Sequence, residues 1–195
     1  MESTFATTGR LTARQRQLVG ELLELFLAEG FSDLTLDDIA ARLGCSKRTL
    51  YALADSKEQL AVRTVRYFFK KATEQVETAI ARTRSPAARV TRYLEAVAAA
   101  LRPASQQFLR DLDRQAATRE VYEQNTVAAA VRVRELIDEG IRAGAFRQVS
   151  AVFVGEVVTA TMRRITSGEL GRATGLDDAQ AYAELAKLVV AAISR

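Results

Sequence analysis

The chain of 195 residues contains no histidine and no tryptophan, one cysteine and two prolines. Without histidine it offers too few nitrogen and sulfur ligands for a zinc or redox-metal cluster, and it has no histidine-dependent nucleophile. A single cysteine excludes an internal disulfide, and no P-loop pattern occurs. These absences leave carboxylate chemistry as the remaining route to catalysis.

Long hydrophobic runs are also missing. No stretch approaches the ~18–20 apolar residues that span a bilayer, and the N-terminus lacks the apolar region of a signal peptide. We therefore expect a cytoplasmic protein that uses no metal and no cofactor and makes no contact with a membrane.

The composition favours helices packed around a real core. Hydrophobic residues make up 48% of the chain, which argues against disorder, and scarce proline and glycine predict an all-α fold. The net charge is +4, yet residues 1–60 carry seven Lys and Arg against nine Asp and Glu, a net charge of −2. Binding to nucleic acid therefore depends on where charges lie, not on their sum.

One stretch, TLDDIAARLGCSKRTLY (residues 35–51), predicts two short helices joined by a tight turn. Thr35 and Asp38 form an acidic variant of the capping box, and apolar residues follow with helical spacing. Gly44 suits the turn because glycine tolerates a positive φ, and Ser46 suits the N-cap of the second helix. This is the pattern of a helix-turn-helix, whose second helix enters the DNA major groove.

This motif, with the DSKEQL that follows it, resembles the N-terminal DNA-binding domain of the tetracycline-repressor (TetR) family over residues 35–60. The resemblance implies a three-helix DNA-binding domain over residues 1–56 and a helical effector-binding and dimerisation domain over residues 57–195, about nine helices in all. It implies a ligand-responsive regulator rather than an enzyme, most often a repressor, that binds an inverted-repeat operator in double-stranded DNA as a homodimer. The residues expected at DNA are Thr35, Ser46, Lys47, Arg48, Thr49, Tyr51 and Lys57.

Arg10, in the polar segment of residues 1–11, is a further candidate for a contact with the DNA backbone or minor groove, with a solvated tail as the alternative.

The segment after the second helix departs from the family's pattern. Where the family has an aromatic residue, a histidine and a phenylalanine, this chain has Ala52, Leu53 and Ala54. The histidine contact with the DNA backbone and the phenylalanine that packs between helices 3 and 4 are therefore missing. A helical interaction module that has lost DNA binding is one alternative function for this reason.

An all-helical enzyme that uses carboxylates alone is the other alternative. Its candidate pairs, Asp111 with Asp113 and Asp138 with Glu139, are interpreted as solvated helix faces, because charged neighbours on a helix usually face water. Cys45, in the turn, is interpreted as a buried structural thiol.

The C-terminal part carries aromatic and polar residues that suit a small-molecule pocket, which needs apolar walls and a few placed polar groups. An apolar or aromatic, partly polar effector is expected to bind there and release DNA, and the alternative is that these side chains only fill the core. The candidate ligand-binding residues are Phe69, Tyr93, Phe108, Tyr122, Asn125 and Thr126.

The last two long helices, over residues 149–165 and from about Asp177, are each apolar on two sides. A helix of this kind needs two surfaces to pack on, which predicts a homodimer through these helices, with a buried pair in a monomer as the alternative. Val189 is assigned to the dimer face, and residues 168–175 between the helices are predicted to be a polar loop.

Overall fold

A computed structural model describes residues 12–195, within which the chain forms ten α-helices and no strand. The predicted all-α fold is confirmed. Arg10 lies outside the described residues. In chain order the helices are α1 (Ala13–Glu29), α2 (Leu36–Arg42), α3 (Lys47–Tyr51), α4 (Lys57–Ala81), α5 (Pro86–Leu101), α6 (Gln106–Arg114), α7 (Ala116–Arg142), α8 (Ala151–Thr166), α9 (Glu169–Thr174) and α10 (Asp178–Ile193).

About nine helices were expected, and the additional one is α9. The prediction of a loop at residues 168–175 is therefore wrong. The helix is one and a half turns long and lies between Gly168 and Gly175, which both have a positive φ. Polar composition indicated a loop correctly at the two glycines, but it gave no signal for the short helix between them.

One apolar core joins α1, α2 and α3 to the first half of α4 and to α6. Four phenylalanine rings pack in sequence inside it, with centroids 5.4–5.9 Å apart: Phe26, Phe31, Phe108 and Phe68. Because this core contains residues from both sides of position 56, the predicted domain boundary coincides with the N-cap of α4 but not with a break in packing.

A second core joins the rest of α4 to α5, α7, α8 and α10. The turn after α7 belongs to this core as well, because the fully buried ring of Phe146 lies against Gly140. The backbone N–H of Arg147 donates to the carbonyl of Ile193 at 2.9 Å, so this turn also holds the end of α10.

None of the described helices has the length and apolar character needed to cross a membrane. Within residues 12–195 no group of three or more His, Cys, Asp or Glu side chains is placed to hold a metal ion.

Candidate nucleic-acid interface and internal cavity

The helix-turn-helix is built by local side-chain caps. The Thr35 hydroxyl accepts from the Asp38 N–H at 3.1 Å, and Asp38 Oδ2 accepts from the Thr35 N–H at 2.8 Å. The Thr35 hydroxyl also donates to Asp38 Oδ2 at 2.6 Å, and this bond, together with the one from the Thr35 N–H, holds the pKa of Asp38 below its usual value. Gly44 turns the chain with φ of 58°, and Ser46 Oγ accepts from the Thr49 N–H at 3.2 Å to start α3. The hydroxyls of Thr35 and Ser46 are therefore already engaged within the protein.

The inner side of α3 is anchored by buried leucines. Leu50 is buried, and Leu53, directly after the helix, is only 3% exposed and packs in the same core. Arg63 of α4 donates a hydrogen bond to the Leu53 carbonyl. Leu53 thus occupies a buried position between α3 and α4.

The outer side of α3 presents hydrogen-bond donors to solvent. Lys47, Arg48 and Tyr51 are exposed, and Thr49 is half-buried. Lys47 Nζ lies 2.7 Å from Asp37 Oδ2, and this hydrogen bond raises the pKa of Lys47, so its ammonium stays charged. Arg48 makes no ion pair with any described residue. A short capped helix with an arginine and a lysine on its open face has the side chains that contact guanine edges and phosphates.

Lys57 is the one expected DNA residue whose side chain turns inward. Its Nζ donates to the Ser32 carbonyl at 2.6 Å, in the loop between α1 and α2. Lys57 is the first residue of α4, after the Ser56 N-cap. A contact between Lys57 and a phosphate stays a prediction, and it requires the ammonium to share or leave this carbonyl.

An internal cavity of about 250 Å³ lies between α4, α5, α7, α8 and α10. Five of the six residues predicted for a ligand pocket line it: Phe69, Tyr93, Tyr122, Asn125 and Thr126. Phe108 does not, because its ring is fully buried in the N-terminal core between Phe31 and Phe68.

Among the residues of the cavity wall that were not predicted as ligand-binding, four carry a charge or a phenol hydroxyl: Glu77, Arg132, Arg163 and Tyr182. Glu77 and Arg132 form a bidentate ion pair, with N–O distances of 2.8 and 3.0 Å. Tyr182 is 2% exposed, and its hydroxyl has no hydrogen-bond partner among the described residues. The sequence pattern predicts Tyr182 only as part of the apolar band of α10. Its hydroxyl could have indicated a site, because a buried tyrosine hydroxyl needs a hydrogen-bond partner.

Burial controls the chemistry of the tyrosines in the cavity. It raises the pKa of Tyr93 to about 12, and Glu77 contributes to this rise. Burial also raises the pKa of Tyr122 and of Tyr182. The three hydroxyls are therefore neutral at physiological pH, where each can donate one hydrogen bond.

An exposed apolar face lies on α7, α8 and α10. Large aliphatic and aromatic side chains on it face solvent although the other sides of the same helices are buried: Val127, Val131, Val152, Phe153, Val157 and Leu188. The predicted two-sided character of α8 is therefore observed. The assignment of Val189 to this face is wrong, because Val189 is 7% exposed and packs in its own subunit, while the adjacent Leu188 is 68% exposed.

The buried carboxylate of Asp111 contradicts its interpretation as part of a solvated face. Asp111 is fully buried, whereas the side chain of Asp113 is 82% exposed. Cys45 is half-buried rather than buried, and burial raises the pKa of its thiol.

Comparison with known proteins gives matches to the N-terminal part and to the whole fold. Residues 21–64 match the family described as "Bacterial regulatory proteins, tetR family". The HTH-type transcriptional regulator YvaF of Bacillus subtilis (strain 168) is 42% identical over 62 residues, which span 32% of this chain and 32% of YvaF. The matched part thus covers about a third of that relative's length.

Two solved structures are similar over nearly the full length. A transcriptional regulator from Saccharomonospora viridis in complex with choline has a TM-score of 0.77 at 17% identity, covering 92% of this chain and 97% of that one. The TetR family transcriptional regulator PfmR from Thermus thermophilus has a TM-score of 0.68 at 20% identity, covering 90% of this chain and 97% of that one. At these identities the likeness shows the fold alone.

Proposed function

We propose that this chain, whose residues 21–64 match the tetR family of bacterial regulatory proteins, is a repressor of that family that binds an inverted-repeat operator as a homodimer and releases it when a small molecule occupies the cavity. The observation that carries this proposal is the open face of α3, where Lys47, Arg48 and Tyr51 project from a capped helix anchored by Leu50 and Leu53. The expected cytoplasmic location is part of this proposal, because a regulator of this kind acts on DNA.

Arg48 is the residue that reads sequence in this proposal. It is exposed and has no ion pair with a described residue, so its guanidinium reaches a base edge without breaking an internal contact. A bidentate arginine–guanine contact is the most common specific contact in the major groove. Lys47 has to break its ion pair with Asp37 before it can contact DNA, so it contributes less than Arg48 to the discrimination between base sequences.

The exposed apolar face supports the homodimer. Phe153 on α8 and Leu188 on α10 are each 68% exposed, and four valines extend the same face. An exposed apolar area of this kind marks a protein interface in many soluble proteins. A two-fold pairing of this face places two copies of α3 in successive half-sites, which requires an operator with dyad symmetry.

The cavity supports the release step. Phe69 and Glu77 of α4 line it, and the same helix begins at Lys57 beside the helix-turn-helix. A small molecule that binds the non-DNA conformation a hundredfold more tightly supplies ~2.7 kcal/mol of coupling. The Saccharomonospora viridis regulator was solved with choline, which supports a small-molecule ligand for this cavity in general.

The experiment is selection of bound DNA from a random-sequence library with the purified full-length chain, followed by titration of the selected site. We expect a site with dyad symmetry. Replacing Arg48 by Ala should weaken its binding by ~1–3 kcal/mol and relax the preference at one base position of each half-site. Arg164, which pairs with Glu169 near α9, supplies the matched control, because Arg164→Ala should leave affinity unchanged. Selection of sites without dyad symmetry would contradict the dimeric operator complex.

A further inference from the structure

The Tyr182 hydroxyl is a buried polar group that the folded chain leaves without a partner. It lines the cavity, and it has no hydrogen-bond partner among the described residues. A buried hydroxyl without a hydrogen bond costs free energy, so a group of this kind calls for a ligand or an ordered water that accepts its proton. No threonine hydroxyl in the cavity wall forms a hydrogen bond with it; those of Thr126, Thr159 and Thr166 each donate to a carbonyl of their own helix.

The charges around the cavity are not balanced. Glu77 is already matched, since both of its carboxylate oxygens bond to Arg132. Arg163, on α8, is exposed to solvent and also lines the cavity; it makes no ion pair with any described residue, whereas the adjacent Arg164 is paired with Glu169. The unmatched charge at the cavity is therefore positive.

Arg163 and the Tyr182 hydroxyl belong to the wall of the same cavity, and Thr166 lies there with them. Arg163 precedes Thr166 by three residues on α8, so the two side chains lie on the same side of the helix. Thr166 and Tyr182 both line the cavity. Burial raises the pKa of Tyr122, and the Arg163 guanidinium and the Thr166 hydroxyl oppose that rise, so both act on the Tyr122 hydroxyl in this cavity.

We propose that the ligand of this cavity is a small carboxylic acid with an apolar body, whose carboxylate pairs with Arg163 and accepts the hydrogen bond of Tyr182. The apolar body lies against the side chains of Phe69, Val76 and Val97. Calling the acid an effector rests on the proposed function. Binding of the acid to the cavity does not, because it requires no DNA. A quaternary ammonium ion, which suits aromatic walls, is disfavoured because the one carboxylate of the cavity is already occupied by Arg132.

The chain provides its own reporter for the test. It has five tyrosines and no tryptophan, and three of the tyrosines line the cavity. Tyrosine fluorescence of the full-length protein therefore measures binding when the probes do not absorb in the near ultraviolet. The probes are cyclohexylpropanoate, cyclohexylpropanamide and cyclohexylethyl-trimethylammonium, which share an apolar body and differ in charge.

We expect the acid to bind at least about tenfold more tightly than the amide, and the ammonium to bind more weakly than both, as a charge-assisted contact predicts. Arg163→Gln should remove the preference of the acid over the amide. Arg164→Gln is the matched control and should keep it, because Arg164 does not line the cavity. Tyr182→Phe should weaken the acid about tenfold while keeping the fold, because it removes only an unpartnered hydroxyl.

Arg163 also borders the exposed apolar face, through the groove that it shares with Val131 and Val152. Size-exclusion chromatography of the Arg163→Gln variant therefore checks that it assembles as the wild type does. The inference is overturned if the ammonium binds more tightly than the acid, if the acid does not bind at millimolar concentration, or if Arg163→Gln keeps the preference for the acid. An acid that binds as expected but leaves operator affinity unchanged supports the ligand class and contradicts the proposed release step instead.

Discussion

Replacing Asp111 tests whether α6 holds the helix-turn-helix in place. Asp111 is fully buried on α6, and its Oδ2 accepts from the backbone N–H of Phe31 at 2.6 Å and of Ser32 at 2.9 Å. Its Oδ1 accepts from Gln107 Nε2 at 2.8 Å. The two backbone groups belong to the loop between α1 and α2. The loop follows Gly30, where a Cβ would overlap with Asp111, so the chain passes very close to the carboxylate.

The expected loss follows from these bonds. A hydrogen bond to a charged group is worth roughly 1.5–3 kcal/mol, and Asp111→Ala removes two from the loop and leaves both N–H groups without that acceptor. The desolvation cost of the buried carboxylate disappears with it and offsets part of the loss. We therefore expect the free energy of unfolding to fall by about 3 kcal/mol. For a chain of this size that lowers Tm by roughly 6–12 °C.

The measurement is urea-induced unfolding followed by far-UV circular dichroism. Asp111→Asn should lose about half as much, because its amide keeps one oxygen acceptor but not the charge. Asp113→Ala is the matched control: its side chain is exposed, its contact with Arg119 is 3.7 Å long, and it should stay within about 0.5 kcal/mol of the wild type. If Asp111→Ala is no less stable than Asp113→Ala, the carboxylate does not hold the loop and the reasoning fails.

Two further predictions concern the exposed face and the end of α7. Leu188→Glu should convert the proposed dimer into folded monomers, as measured by sedimentation velocity. Val189→Glu should instead lower the free energy of unfolding, because it buries a carboxylate within the subunit. Equal behaviour of the two variants would exclude this face as the interface. Gly140→Ala should destabilise the chain by about 1–3 kcal/mol in thermal unfolding, because its methyl group would overlap with the buried ring of Phe146. An unchanged Tm would mean that the turn after α7 adjusts freely.

The helix-turn-helix was predictable because its signals are local. The cap at Thr35, the turn at Gly44 and the cap at Ser46 lie within a few residues of the groups that they bond, so sequence spacing specifies them. The cavity was predictable in part for a related reason. Asn125 and Thr126 stand out as polar positions on an otherwise apolar side of α7.

The remaining features depend on partners that are distant in sequence. Asp111 is separated by 80 residues from Phe31, whose N–H it binds, and nothing near Asp111 in the chain indicates that it is buried. Val189 and Leu188 are both apolar and adjacent, so only the packing of α10 decides which one faces solvent. The role of Lys57 at DNA is implied by the family resemblance alone, which gives no sign that a backbone carbonyl of another loop lies within its reach.

Phe108 shows how the cavity and the helix-turn-helix are connected through α6 as well as through α4. A row of ring contacts joins the cavity wall to the core of the N-terminal part: Tyr122 to Phe69 (6.0 Å between centroids), Phe69 to Phe68 (5.0 Å), Phe68 to Phe108 (5.5 Å) and Phe108 to Phe31 (5.9 Å). Because protein interiors are close-packed, a displacement of Phe69 has to be taken up by the rings behind it. The row reaches Phe31, whose N–H is one of the two that Asp111 holds, so side-chain packing and the buried carboxylate act on the same loop. Since that loop leads directly into α2, an occupant of the cavity that moves Phe69 is expected to shift the helix-turn-helix through this row.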